Sequence, residues 1–375
     1  MLRFIFLFIL LFHGLIHLLG FVKAWNLAPV PQLNGPTLFP LSASGTKAVG
    51  ALWLLACLGF LATAAAFGWK KEYWWMLAAG SLLLSQLLVV LYWTDAKAGT
   101  VANLIVLAGL LPAWGKWSFD RMAQREIQTL LAAPPPAAST PVTAAQLEGL
   151  PACVQNWLTQ SGAVGRDRVH TVHLLQKGLL RTAPDGKWMP AAAEQYFNVD
   201  TPGFIWTVDV QMPPGLPIAG RDKYLDGKGN MLIQLFALMP VVNGSGEKID
   251  QGSLLRYLGE MVWFPSAALR PYIRWEPVDD HSAKATMQYK GVTASAVFRF
   301  DAAGNVILTT AERYMGSGDK ASLEHWVIPV SEWREMNGVR IPTKGEVIWQ
   351  LQTGDFSYYR WEIVAVDYNP RRAAR

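Results

Sequence analysis

At 375 residues the chain has room for a set of membrane spans and one soluble domain. Its formal charge of +5 is unevenly placed: residues 1–125 carry nine Lys/Arg against three Asp/Glu, leaving 24 against 25 for the rest. The near-neutral remainder has no field for a polyanion, which argues against nucleic acid as a partner, and Cys57 and Cys153 supply neither a disulfide framework nor a CxxC metal site.

Four apolar runs come first: Leu2–Val22, Ala48–Gly68, Tyr73–Trp93 and Val101–Trp114. A helix of about 20 mostly apolar residues crosses a bilayer, so spans are predicted at 2–22, 48–68, 73–93 and 101–117. The fourth run is the shortest, with Pro112 and Lys116 at its end. Trp25, Trp69, Trp74, Trp75, Trp93, Trp114 and Trp117 stand near the run ends, where an indole is half in lipid and half wet. The first run is longer than a signal-peptide core and three more follow it, so it is read as a retained helix. With the N-terminus inside, Arg3, Lys70, Lys71, Lys116, Arg121 and Arg125 face the cytoplasm, and Lys23, Lys47 and Lys97 face the other side. That bias places both ends inside a bacterial cytoplasmic (inner) membrane. If the fourth run does not cross, the soluble part lies outside instead.

His13 and His17 are four residues apart and share one helix face. That face can hold a metal, or it can join helices by hydrogen bonds, as Ser85 and Gln86 in the third run can. The other runs contain no histidine for a haem bridging two helices, and no span has an acid at its centre for proton-coupled transport. No cofactor is expected.

The domain boundaries follow composition: a module at 1–118, a linker at 119–144 and a soluble domain at 145–375. The linker has a polar, helix-compatible part, Asp120–Leu131, and a semi-extended part, Ala132–Val142, with Pro134, Pro135, Pro136 and Pro141. A short helix is predicted over 144–160, where Leu147, Val154 and Trp157 recur. Beyond it the period becomes two. Phe204, Trp206, Val208, Val210 and Met212 alternate with Ile205, Thr207, Asp209 and Gln211 on a wetter face. The same alternation marks 285–289, 292–300, 347–351 and 359–365, as expected for antiparallel strands with one buried face. Asp226–Asn230, Asn243-Gly244, Ala303–Asn305, Asn337-Gly338 and Thr353-Gly354 read as hairpin turns. One amphipathic helix breaks the series at Ser253–Trp263, with Arg256 and Glu260 spaced for an ion pair, Asp250 or Ser253 as its cap, and Pro265 as its stop. The predicted architecture is an N-terminal four-helix transmembrane module plus an α+β soluble domain, dominated by a curved antiparallel β-sheet with one or two covering helices.

Candidate chemistry is sparse. The glycine-rich Asp226–Asn230 lacks the following helix and the Lys-Ser/Thr pair of a phosphate loop, and it lies between strands. Asp279-Asp280-His281 offers three ligand types, but neighbours on a strand point to opposite faces. The same holds for His170 and His173. Glu260 with Trp263, and Trp275 with Glu276, bring carboxylates next to tryptophans, where a raised pKa would suit a general base; pairing with Arg256, Arg270 or Arg274 is the structural alternative.

Ser85-Gln86 and Trp93–Asn103, with Gln195-Tyr196-Phe197, Pro202–Trp206, Gly220-Arg221-Asp222, Arg256–Glu260 and Trp263-Phe264-Pro265, resemble an uncharacterised bacterial multi-pass membrane protein family with a C-terminal β-rich domain. The family carries no known activity. The soluble half, with its strand order, turns and Gly338–Pro342 before a terminal hairpin, also resembles the open-barrel lipoprotein carriers of the bacterial envelope. That resemblance implies a curved antiparallel sheet holding acyl chains under a helical lid.

The expectation is a membrane-tethered β domain, with the lipid bilayer as one partner and a lipid-like small molecule held between the sheet and helix 253–263. Its ligand-binding candidates are Trp206, Tyr257, Glu260, Trp263, Trp275 and Trp349. Two alternatives remain: a membrane-associated enzyme using Glu260, Glu276 or Asp279–His281, and a docking protein with an exposed apolar patch.

Overall fold

The computed structural model describes residues 1–132, 141–212 and 215–370. They divide into two compact units, Met1–Ser118 and Phe119–Arg375. The prolines Pro134, Pro135 and Pro136 of the expected linker lie outside the described residues.

The first unit is helical. Among the described residues four helices are long and apolar enough to cross a membrane: Leu2–Ala24, Ala43–Gly68, Trp74–Leu91 and Gly99–Leu130. The first is two pieces, α1 (Leu2–Ile16) and α2 (Leu18–Ala24), meeting at His17. Then come α3 (Ala43–Gly68), α4 (Trp74–Leu91), the one-turn α5 (Trp93–Ala96) and α6 (Gly99–Leu130). The Ser42 hydroxyl accepts from the Gly45 N–H at the start of α3, and Arg3 donates to the Phe67 and Gly68 carbonyls at its end, so both sets of orphan groups are partly met. Leu10, Phe60, Ala64, Ala78 and Val106 interlock between the helices. Gly20 lets α2 lie against Trp53, for a Cβ there would stand 2.3 Å from the indole.

The second unit is a single 13-stranded sheet with every neighbouring pair antiparallel. Six strands form the first meander: β1 (Thr171–Leu180), β2 (Met189–Asn198), β3 (Gly203–Met212), β4 (Leu216–Leu225), β5 (Lys228–Leu235) and β6 (Met239–Gly244). Seven form the second: β7 (Ile273–Asp279), β8 (Ser282–Tyr289), β9 (Val292–Phe300), β10 (Val306–Met315), β11 (Ser322–Met336), β12 (Val339–Leu351) and β13 (Gly354–Tyr368). Pairing of β1 with β13 fuses them into one sheet. Three hairpins turn on two left-handed residues each, Asp226-Gly227, Lys290-Gly291 and Asn337-Gly338, the geometry that matches strand twist. The sheet curls until the β4–β5 and β8–β9 turns meet, and Lys290 reaches Asp226 between them at 3.1 Å.

Both faces are covered. On the concave side lies α8 (Glu247–Glu260), whose Leu254, Leu255, Tyr257 and Leu258 are fully buried; each such side chain contributes about 1.5–3 kcal/mol of burial. A shorter helix, α7 (Ala152–Gln160), sets Trp157 against Trp275 and Phe300 at one end of the core. On the convex side the residues of α6 from Phe119 onward pack on β2–β5: Ile127 and Leu130 meet Tyr196 and Ile205, and Glu126 pairs with Arg221 and Lys223.

Several details differ from expectation. Ile205, expected on the wetter face, is fully buried because α6 covers that face. Asn243-Gly244 is no hairpin turn; it ends β6, paired with Leu232 and Met231, and the chain bends into α8 at Gly246, whose φ is +109°. Gly246, rather than Asp250 or Ser253, precedes the first helical residue of α8. Asp250 is instead a buried acid in the first turn, accepting from the Gly229 N–H at 2.7 Å and from Lys228 Nζ at 2.9 Å. The helix expected over 144–160 is a 3-10 turn, Ala144–Leu147, followed by α7, with Pro151 between them.

Candidate functional site

The concave face is not filled to the end. Between the sheet and α8 remains a cavity of about 450 Å³, within the range of small-molecule sites. Strand alternation builds its wall. The inward parity of β3 presents Phe204 and Trp206, β11 gives Trp326, and β12 gives Trp349, while Trp263 follows α8. The floor is polar and fully connected. Arg256 donates through Nε to Glu260 Oε1 at 2.8 Å and through Nη1 to Asp222 Oδ2 at 2.7 Å. Its guanidinium lies over the rings of Trp206 and Phe204, 4.6 and 5.1 Å from their centroids. Glu260 Oε2 accepts from Gln195 Nε2 at 2.8 Å, Gln176 donates to Gln195, and Trp206 and Tyr359 donate to Gln176. Burial pushes the Glu260 carboxyl above its ordinary range, although Arg256 and Gln195 both pull it down.

The expected site residues separate into groups. Trp206, Glu260, Trp263 and Trp349 line the cavity. Tyr257 belongs to the packed core behind it, its hydroxyl 3.1 Å from that of Tyr272, which donates to the Val199 carbonyl. Trp275 is also core, donating to the Ala268 carbonyl and packing on Trp157 and Phe298. Glu276 lies out on β7 beside Arg274 at 3.4 Å, so the two candidate bases do not converge. Asp279-Asp280-His281 forms the exposed β7–β8 turn, where the His281 N–H holds the Asp279 carboxyl below its ordinary range. His170 pairs with Asp200, and His173 pairs with Glu194 while stacking on Tyr196. His13 and His17 face α4 and α6: His13 Nε2 donates to Asn103 Oδ1 at 2.8 Å, and His17 Nε2 meets Ser85 Oγ at 2.9 Å. Asn103 Nδ2 donates on to Gln86 and Gln86 to Thr100, a hydrogen-bonded bridge between helices. No cluster of three or more potential metal ligands occurs among the described residues.

Sequence reasoning missed Trp326, Asp222, Gln176, Gln195 and Arg313. A signal existed for Arg313: on β10 it shares the inward parity of buried Thr309 and Ala311, where the strand pattern calls for an apolar residue. A second hollow, lined by Lys223, Lys228 and Asp250 beside the β4–β5 turn, is wide open to solvent, and the Lys228–Asp250 pair lies along it.

Residues 140–361 match a family of unknown function (DUF6544), and the chain belongs to that family. No curated protein matches. Among solved structures, the chain is similar to a domain described as an outer membrane lipoprotein-sorting protein from Vibrio parahaemolyticus, 11% identical over 60% of this chain and 94% of that one, with a TM-score of 0.37. It is also similar to a DUF1329 family protein from Desulfovibrio piger (12% identical, 62% and 96% covered, TM-score 0.33). A LolA superfamily protein from Nitrosomonas europaea is a third (12%, 58% and 94%, TM-score 0.32).

Proposed function

For this member of a family of unknown function, we propose the role of a membrane-tethered binding module. Its cavity between sheet and α8 holds an apolar or lipid-like molecule, and its four apolar helices anchor it in the bacterial cytoplasmic membrane. The observation that carries this reading is the cavity itself: about 450 Å³ walled by Trp206, Trp263, Trp326 and Trp349, over a floor whose polar groups already bond one another. An apolar chamber with few polar anchors is the usual form of a lipid or small-molecule site. The anchor is supported by the length and composition of the helices Leu2–Ala24, Ala43–Gly68, Trp74–Leu91 and Gly99–Leu130. The charge count puts the binding domain on the cytoplasmic side when all four cross.

The test compares lipid bound to the detergent-purified full chain with lipid bound to Gly259→Phe. The nearest atoms to a Cβ at Gly259 belong to Ile328 and Trp326 of the cavity wall, at 3.5 and 3.7 Å, so a larger side chain there projects toward the chamber without backbone strain. Mass spectrometry of extracted lipid should show a tightly held species in the parent chain and its loss in the variant. Equal lipid in both would mean that it coats the helices, and the cavity reading would fall.

A further inference from the structure

Four cations line the cavity against two acids: Arg181, Lys248, Arg256 and Arg313 against Asp222 and Glu260. Three of the cations are satisfied within the protein. Arg256 holds both acids. Arg181 donates to the carbonyls of Ser357 and Pro184 and lies over Trp188. Lys248 donates to the carbonyls of Gly318 and Ala321, at 3.0 and 3.4 Å.

Arg313 differs. Among the described residues it meets no carboxylate and no carbonyl. Its Nη1 reaches only the Tyr358 hydroxyl, at 3.5 Å, and that hydroxyl already accepts from Trp326 Nε1 at 3.2 Å. Its Nε is buried without a partner. The guanidinium is nevertheless well placed: it lies 4.7 Å from the Trp326 ring centroid and 5.6 Å from that of Trp349, under Gly252 of α8, where a Cβ would already touch Nε at 3.4 Å. Cation–π contact fixes its position but leaves its charge uncompensated. A half-buried cation without a counter-charge is costly, and the opposite charge is what such a site attracts.

We propose that the cavity takes an amphiphile with a single anionic headgroup, a carboxylate or a phosphate monoester, seated on Arg313 with its acyl chain along the tryptophan wall. The proposal rests on the reading of the cavity as a ligand site and names the class of ligand. Arg313 supplies the charged anchor that the self-bonded floor does not, since the charge of Arg256 is already matched by Asp222 and Glu260.

The test uses the full chain in nanodiscs of phosphatidylcholine, so that the bilayer offers no anionic lipid of its own. Three probes carry the same mid-chain diazirine: palmitic acid, hexadecanol and phosphatidic acid. Light cross-links each probe, and mass spectrometry counts labelled peptides from β3, β11 and β12. The anionic probes should label these peptides at about one-tenth of the concentration hexadecanol needs, or less, the worth of one charge-assisted hydrogen bond. Arg313→Gln should bring that ratio close to one, and Arg313→Lys, which keeps the charge, should retain it. Labelling by palmitic acid identifies a free fatty acid as the source, and labelling by phosphatidic acid identifies a membrane headgroup; either supports the anionic seat. Equal labelling by acid and alcohol in the parent chain, or an undiminished ratio in Arg313→Gln, overturns the seat and leaves the apolar cavity standing. The parent-chain comparison decides even if the Gln variant folds poorly. Absence of label from all three probes in these peptides overturns the seat and the binding function together.

Discussion

Replacing Arg256 by alanine tests the electrostatic account of the cavity floor. Its guanidinium stands between Asp222 and Glu260, and the three side chains are only 14, 26 and 13% exposed. Alanine would leave two carboxylates facing one another in a poorly solvated space. Breaking a buried pair by removing one partner costs about 3–5 kcal/mol. At about 2–4 °C per kcal/mol for a domain of this size, thermal unfolding should fall by roughly 6–20 °C at pH 8. The loss should also depend on pH. Burial already raises Glu260, and without Arg256 the largest opposing influence is gone. A carboxyl whose folded pKa lies above its unfolded value contributes stability that is full below the unfolded value and lost as pH rises through the folded one. The Arg256→Ala penalty must therefore shrink as pH falls from 8 toward 5, as the orphaned Glu260 takes up a proton. Near-UV circular dichroism melts of parent and variant in nanodiscs at both values measure it. A shift below about 2 °C, or one equal at both pH values, would refute a buried, charge-compensated floor.

Three further substitutions probe the frame. Gly338→Ala should destabilise the domain by about 1–2 kcal/mol, because φ is +80° there, a left-handed backbone that a side chain strains; a melt of the variant reads it directly. Ile205→Ala should cost about 2–5 kcal/mol and speed amide exchange over Phe119–Leu130, since Ile205 is buried against Ile127 and Leu130. Unchanged protection of that segment would show that other contacts hold it. Asn103→Leu removes the acceptor of His13 and Ser85 and the donor to Gln86, and should weaken the helical unit in bicelles by about 0.6–2 kcal/mol. No loss there would mean that the polar bridge adds nothing to helix association.

The period-two code made much of the sheet legible. Phe204, Trp206, Val208 and Val210 alternate in the sequence and point inward in the structure, and Asp226-Gly227 and Asn337-Gly338 turn hairpins as their residue types require. Lys290-Gly291 makes the same turn without the usual residue at its first position, so nothing local announced it. Asn243-Gly244 shows the converse: a turn-like pair can end a strand when the bend comes two residues later. The start of α8 was hidden because Glu247–Asp250 is polar, and its buried acid serves a tertiary contact with the β4–β5 turn rather than a cap. Parity identified inward aromatics but could not divide them into wall and core. Trp275 faces inward like Trp206, yet Trp157 of α7 closes over it, and the placement of that helix is a long-range fact. Ile205 failed for the same reason, because only the docking of α6 makes the outer face dry there.

The size of the chamber carries an argument of its own. Protein interiors are close-packed, yet about 450 Å³ between the sheet and α8 is left to something other than side chains. The chain does not spend residues to close it. Gly252, over Arg313, and Gly259, over Ile328 and Trp326, lie on α8, and Gly220 of β4 also lines the chamber, each a position where a side chain would reduce the space. The walls favour an occupant that is apolar along most of its length. Arg313, the one lining cation that meets no carboxylate or carbonyl among the described residues, favours an occupant that is charged at one end. A molecule with both properties would fill the chamber and meet the unpaired charge at once, which a plain hydrocarbon would not do.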